Sequence, residues 1–127
     1  MKPFATDIEK MTQSNEDFRR VLFTGSHMQL VVMSLKPQEE IGWEVHGNVD
    51  QFFRVEQGSG KFELENGHFE LEDGGVMVVP AGTRHNVVNS SDTEPLKLYT
   101  IYSPPNHPDG TIHSTKEDAE KAEQTHA

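Results

Sequence analysis

The chain has 127 residues, one domain's worth of material, and no cysteine, which excludes disulfide staples, thiolate metal sites and a cysteine nucleophile together. Its 21 acidic against 11 basic side chains give a formal charge of −10, which argues against nucleic acid or an anionic membrane as partner, since both repel an acidic surface. The opening MKPFATDIEKM has no apolar stretch of signal-peptide length, and no run approaches the roughly 20 apolar residues of a membrane helix, so a soluble cytoplasmic protein is expected.

Residues 1–17 read as an N-terminal segment in which Asp7–Asn15 can form a helical turn. From 18 to 102, period-two alternation predicts strands over Phe18–Thr24, Met28–Leu35, Gln51–Glu56, Lys61–Leu64, His68–Leu71, Val76–Val79, His85–Val88 and Leu96–Tyr102. Turn residues separate them, most sharply at Asn66-Gly67, read as the two positive-φ positions of a type I′ hairpin. Short strands at this spacing predict an all-β sandwich or barrel rather than βαβ units. Residues 103–127 begin as a proline-rich strap and end in a short polar helix over Thr115–Gln124, with Ser114 or Thr115 as N-cap and acids in its first turn. Only Ala119 and Ala122 give that helix an apolar face, so it is expected to dock weakly.

The chemistry-bearing residues fall in two stretches. On a strand, residues two apart share a face, so Glu44 and His46 project together. A turn at Gly47-Asn48 would send the next strand back, with Gln51, Phe53 and Val55 on one face and Phe52 and Arg54 on the other, so that Gln51 stands beside the Glu44/His46 pair. Farther on, Pro80-Ala81-Gly82 makes a tight corner and launches a strand with His85, Val87 and Asn89 on one face; the two histidines are then expected to meet across the barrel. His27, His68, His107, His113 and His126 read as ordinary surface or core residues, and Asp50 as solvent-exposed. Phe53, Trp43, Tyr99 and Tyr102 are candidates for the barrel mouth, and Arg54 and Arg84 for an anionic substrate; core packing and surface ion pairs are the plain alternatives.

The second stretch resembles the cupin superfamily. Gly74, Pro80, Gly82, His85 and Asn89 match its second motif at every position (Gly, five residues, Pro-x-Gly, two residues, His, three residues, Asn). The first motif is a Gly, five residues, a His-x-His pair, a Glu three or four residues later, and a Gly after six more. Its second half is matched in spacing by His46, Gln51 and Gly58, with Glu44 where the first His is usual and Gln51 where the Glu is usual. DQFFRVEQGSG, VPAGTRHNVVN and PLKLYTIYSPP look like small single-domain bacterial cupins of the mannose-6-phosphate-isomerase-like type. The resemblance implies a double-stranded β-helix, or jelly-roll, barrel over 18–102 with a short C-terminal helix. It also implies one divalent metal ion (Mn, Zn, Fe or Ni) on Glu44, His46, Gln51 and His85. Two imidazoles and a carboxylate remain of the usual set, a composition that suits Fe(II), Mn(II) or Zn(II) with open positions. Glu44 is either a ligand or the general base beside the metal, and Gln51 either a ligand or a hydrogen-bond partner of substrate or bound water.

Cupins host many activities. The first reading is a metal-dependent isomerase or lyase acting on a small sugar, sugar phosphate or sugar acid, with Glu44 catalytic and Phe53, Tyr102 and Arg54 at the substrate. Cupins of pectin degradation that act on an unsaturated uronate look similar, although Glu44 departs from their His-x-His pair. An Fe(II)-dependent dioxygenase and a non-catalytic small-molecule-binding barrel are the alternatives. The resemblance further implies a homodimer pairing through the Phe18–Leu35 region.

Overall fold

The computed structural model describes residues 1–126, with side chains through Glu123. Helix α1 (Ile8–Ser14) is capped by Asp7, whose carboxylate accepts the Lys10 N–H at 3.1 Å. Strands β1 (Arg19–Thr24), β2 (Gln29–Leu35), β3 (Asp50–Gln57), β4 (Ser59–Leu64), β5 (Gly67–Glu72), β6 (Val76–Val79), β7 (His85–Val88), β8 (Leu96–Ser103) and β9 (Ile112–His113) follow, and helix α2 (Lys116–His126) closes the described chain. They form two antiparallel sheets, a large one in the order β6-β3-β8-β2-β1-β9 and a small one in the order β5-β4-β7. The architecture is a jelly-roll barrel, as expected.

Alternation explains the core. Odd positions of β2 (Val31, Met33, Leu35), even positions of β8 (Leu96, Leu98, Tyr102) and Phe53 and Val55 of β3 face inward, where Phe62 and Val87 of the small sheet meet them. Val31, Met33, Leu35, Val55, Leu96 and Leu98 are fully buried, each contributing about 1.5–3 kcal/mol against exposure. The outer face of the large sheet is covered in part by α1: Lys97 Nζ donates to the Gln13 carbonyl at 2.8 Å. Gly58, at φ 82°, allows the β3-to-β4 corner, where a Cβ would collide with the Pro95 carbonyl oxygen.

Four expectations are revised. The β4–β5 loop is Glu65-Asn66, because Leu64 pairs with Gly67; Asn66 has no positive φ, and the turn's unusual dihedral falls on Gly67 alone. The sheet also runs past residue 102: within the strap, β9 pairs with β1, as Arg19 faces His113 and Arg20 faces Ile112. Helix α2, capped by the Thr115 hydroxyl accepting from the Asp118 N–H at 3.1 Å, docks by burying Ala119 in the main core. Finally, Glu44–His46 and Gln51 do not form a hairpin. The 39–46 segment runs irregularly along β7 in the small sheet, whereas Gln51 lies on β3 in the large one. The edges of the large sheet are β6 and β9, so both strands of the Phe18–Leu35 region are interior.

Candidate metal centre

Two bridges fasten the 39–46 segment to β7, Glu40 opposite Val88 and Glu44 opposite His85, with one more residue on the 39–46 side than on β7. The extra residue is taken up around Gly42, at φ 108°, whose N–H turns to the Asn86 side-chain carbonyl at 2.9 Å instead of the ladder. Asn86 is itself fixed, since its amide donates to Glu63 Oε1 at 3.0 Å. Six positions ahead of Glu44, where the first motif has glycine, Gln38 adopts φ 67° and is held there by its amide donating to the Ser90 and Ser91 carbonyls and to Asp92 Oδ1. Reciprocal Glu44–His85 backbone bonds at 2.9 Å, and a Gly82 N–H to the His46 carbonyl at 2.7 Å, set the three side chains side by side. His46 and His85 therefore do not meet across the barrel. They are neighbours within one sheet, with ring centroids 5.8 Å apart, and it is Gln51 that belongs to the opposite wall.

One ligand atom from each of Glu44, His46 and His85 lies within 4.8 Å of the other two. Metal–ligand bonds of about 2.0–2.2 Å put neighbouring donor atoms roughly 3–4 Å apart, so small adjustments seat one cation among them. His46 Nε2 sits 2.9 Å from Glu44 Oε2, a spacing of that kind already. His85 Nδ1 is 2.9 Å from the Thr83 carbonyl, which can only accept, so Nδ1 carries the proton and Nε2 keeps the lone pair a metal needs. Burial pushes the Glu44 carboxyl up, but the hydrogen bond from His46 and the positive field of Arg19 outweigh it and hold the group below its ordinary value. A divalent ion takes a carboxylate and imidazole nitrogens, and the donor set of Glu44, His46 and His85 fits one.

Gln51 is buried and its Nε2 donates to the Thr100 hydroxyl at 3.0 Å, which leaves Oε1 buried with no partner. Such an orphan acceptor costs about 1–3 kcal/mol unless something completes it. Tyr102, opposite Gln51 in the β3–β8 register, packs edge-on to His46 with centroids 6.0 Å apart. Burial holds its hydroxyl far above its ordinary value, so it stays a neutral O–H, 3.2 Å from His107 Nε2. Burial and the nearby Arg19 lower His107 to about 3 and keep it uncharged. Phe53 is core, edge-on to Phe62 and His85. Arg54 points to the outer face of β3 and pairs with Glu56 at 2.6 Å, away from the cluster.

A cavity of about 390 Å³ opens onto Glu44 and His46, walled by Trp43, Arg19, His107 and one side of α2. Arg84 caps Trp43 with its guanidinium 4.6 Å from the ring centroid. Arg19, Thr100 and His107 were missed from the sequence. Arg19 had a legible signal, standing in phase with Val21 on an inward face; His107, in a proline-rich strap, had none.

The cupin domain family model matches residues 31–102. YrkC of Bacillus subtilis, an uncharacterized protein, is 52% identical over 96% of this chain and 68% of its own length. A protein of Acanthamoeba polyphaga mimivirus, also uncharacterized, is 46% identical over 86% of this chain and 70% of its own. A crystal structure from Bacillus halodurans superposes with a TM-score of 0.90 at 44% identity, covering 94% of this chain and 95% of that one. The KdgF structure from Halomonas sp., at 23% identity and a TM-score of 0.64 over 69% of this chain and 80% of its own, shares the fold. No helix among the described residues is long and apolar enough to cross a membrane. With the motif residues, the barrel and these relatives in agreement, the chain belongs to the cupin superfamily.

Proposed function

We propose that this cupin is a metal-dependent isomerase or lyase acting on a small sugar, sugar phosphate or sugar acid. The observation that carries the reading is the convergence of Glu44, His46 and His85 within 4.8 Å where a cavity opens. Glu44, His46 and His85 would hold the ion, and the orphaned Gln51 Oε1 is the fourth donor of matching chemistry. When bound, the ion supplies Lewis-acid polarisation of a substrate carbonyl or hydroxyl. The residues do the rest. Glu44, held ionised, would keep the carboxylate oxygen that is not on the ion free to accept a proton from the carbon beside the polarised group and to return it. The neutral Tyr102 hydroxyl and His107 ring orient substrate oxygens by hydrogen bonding without adding charge. Trp43 and the flank of α2 limit access of bulk water.

The test loads the protein with Zn(II), Ni(II) or Mn(II) without oxygen and follows uronates, neutral sugars and sugar phosphates in D₂O by proton NMR. Metal-dependent exchange of a substrate C–H for deuterium, abolished in Glu44→Ala, is expected. The two-histidine, one-carboxylate composition also favours a second reading, an Fe(II) oxygenase. Oxygen consumption only with Fe(II), and no anaerobic exchange with any metal, would establish that reading in place of the first.

A further inference from the structure

Arg19 is 2% exposed, on the inward face of β1 in phase with Val21, in a chain of net charge −10. A buried guanidinium ordinarily meets a carboxylate or a set of carbonyls, because taking that charge out of water is costly unless it is paired. This one meets neither. Among the described residues no carboxylate lies within ion-pair distance of it, and its Nε is buried with no partner. Nη1 has the His113 Nδ1 at 3.5 Å, and one face rests 5.3 Å from the centre of the Phe18 ring. Its charge acts on Glu44 as well as on Tyr102, His107 and His113; Tyr102, a side-chain hydrogen-bond partner of Arg19, stays a neutral hydroxyl, and burial leaves the two histidines with depressed basicity. Arg19 also lines the cavity that reaches Glu44 and His46.

We infer that Arg19 anchors a carboxylate of the ligand that occupies this cavity. The acid whose charge is coupled to it, Glu44, belongs to the metal cluster; a cation bound there takes up that charge, and Glu120 and Glu123, which line the same cavity, make no ion pair with the guanidinium. A planar fork of N–H donors fits a carboxylate in two-point contact. A phosphate dianion fits less well, since Glu44, Glu120 and Glu123 line the same cavity and the other cation on it, Lys116, lies 3.9 Å from Glu120. The ligand class is therefore a small hydroxy- or oxo-carboxylic acid, its carboxylate on Arg19 and an oxygen toward the Glu44–His46–His85 cluster. This deepens the proposed function by choosing sugar acids over neutral sugars and sugar phosphates.

Calorimetry on the whole chain, metal-free and Zn(II)-loaded, tests it with glycolate, lactate and galacturonate against ethylene glycol, propylene glycol, galactose and inorganic phosphate. At least one carboxylate should bind where its neutral counterpart does not. Arg19→Gln should weaken that binding about tenfold or more, and Arg19→Lys less, since lysine keeps the charge and loses the fork. The inference is overturned if no carboxylate binds below about 10 mM, if phosphate or the neutral counterparts bind as well, or if Arg19→Gln changes nothing. Should Arg19→Gln fail to fold, the Arg19 Nε–Hε NMR signal of the native protein, identified by its loss in Arg19→Lys, must shift with carboxylate and not with the neutral compound; no shift overturns the inference too. Elemental analysis separates the two readings. Arg19-dependent carboxylate binding by a chain that takes up no metal sinks the metal-centred function alone, whereas stoichiometric metal without carboxylate selectivity sinks this inference alone.

Discussion

On the small-sheet side of the site, Glu44 and His46 hang from backbone that departs from the ladder, held at isolated points: the reciprocal Glu44–His85 pair, the Gly42 N–H on the Asn86 side chain, and the Gly82 N–H, just before β7, on the His46 carbonyl. On the large-sheet side, Gln51, Thr100 and Tyr102 stand on the unbroken β3–β8 register, and their side chains bond to one another and to the strap. The irregular side carries the ionised Glu44 and the other ion-binding groups; the regular side carries groups held neutral. Irregular backbone lets donors adjust to a cation, while a ladder fixes a polar wall in place.

The strongest way to break that comparison is to remove a donor from the irregular side. His85→Ala should lower metal affinity at least about 100-fold, read by competition with a chelator. The barrel should persist, because the Glu44–His85 bonds run through the backbone. Near-native metal uptake by this variant would show that the cluster is not the metal centre.

Next in size is the support of that side. Asn86→Ala leaves the Gly42 N–H without its acceptor, so stability should fall about 1–3 kcal/mol in urea unfolding. Metal affinity should fall about tenfold although no ligand is touched. Thr100→Val, the corresponding change on the ladder side, should leave metal affinity nearer to native, since β3 and β8 hold Gln51 through their backbones. Equal losses from both variants would erase the distinction between the two sides.

This division also marks what was legible in the sequence. Alternation located the regular strands, and with them the inward places of Gln51 and Phe53 and the outward place of Arg54. Motif spacing singled out Glu44, His46 and His85. What could not be read was which wall each residue belonged to. The 39–46 segment bonds to β7, far along the chain, through a bulge that leaves no period-two trace, and a hairpin with the next strand was the local alternative. Arg19 was overlooked because a charged residue inside an apolar strand reads as a surface position until burial shows otherwise. The β1–β9 pairing that places His113 beside it depends on a strap whose prolines read as a loop.

Gln51→Leu sharpens the comparison where the two sides meet. It removes the orphaned Oε1, so stability should hold or rise by up to about 1 kcal/mol. If Oε1 completes the coordination, metal affinity should drop about tenfold. Unchanged affinity would assign Gln51 wholly to the neutral wall.

The smallest effect expected is in the pH dependence of the metal-free protein, and there the two sides differ in window rather than in sign. His107 falls from 6.5 unfolded to about 3 folded, so the unfolded chain binds the extra proton between those values and acid destabilises the fold. Between pH 7 and 6 this amounts to a few tenths to about 1 kcal/mol, with His113 acting in the same direction. Glu44 is also lowered, but from 4.5, so its contribution is complete above that value and is lost only as pH falls through the lower folded value. With a chelator present, His107→Gln should therefore flatten the stability profile from about pH 6.5 down to about 3, whereas Glu44→Gln should leave the part above about pH 4.5 unchanged and flatten only the part below it. If His107→Gln leaves the upper window as steep as before, the neutral state of the strap-side wall is wrong, and with it the contrast between an ionised half and a neutral half.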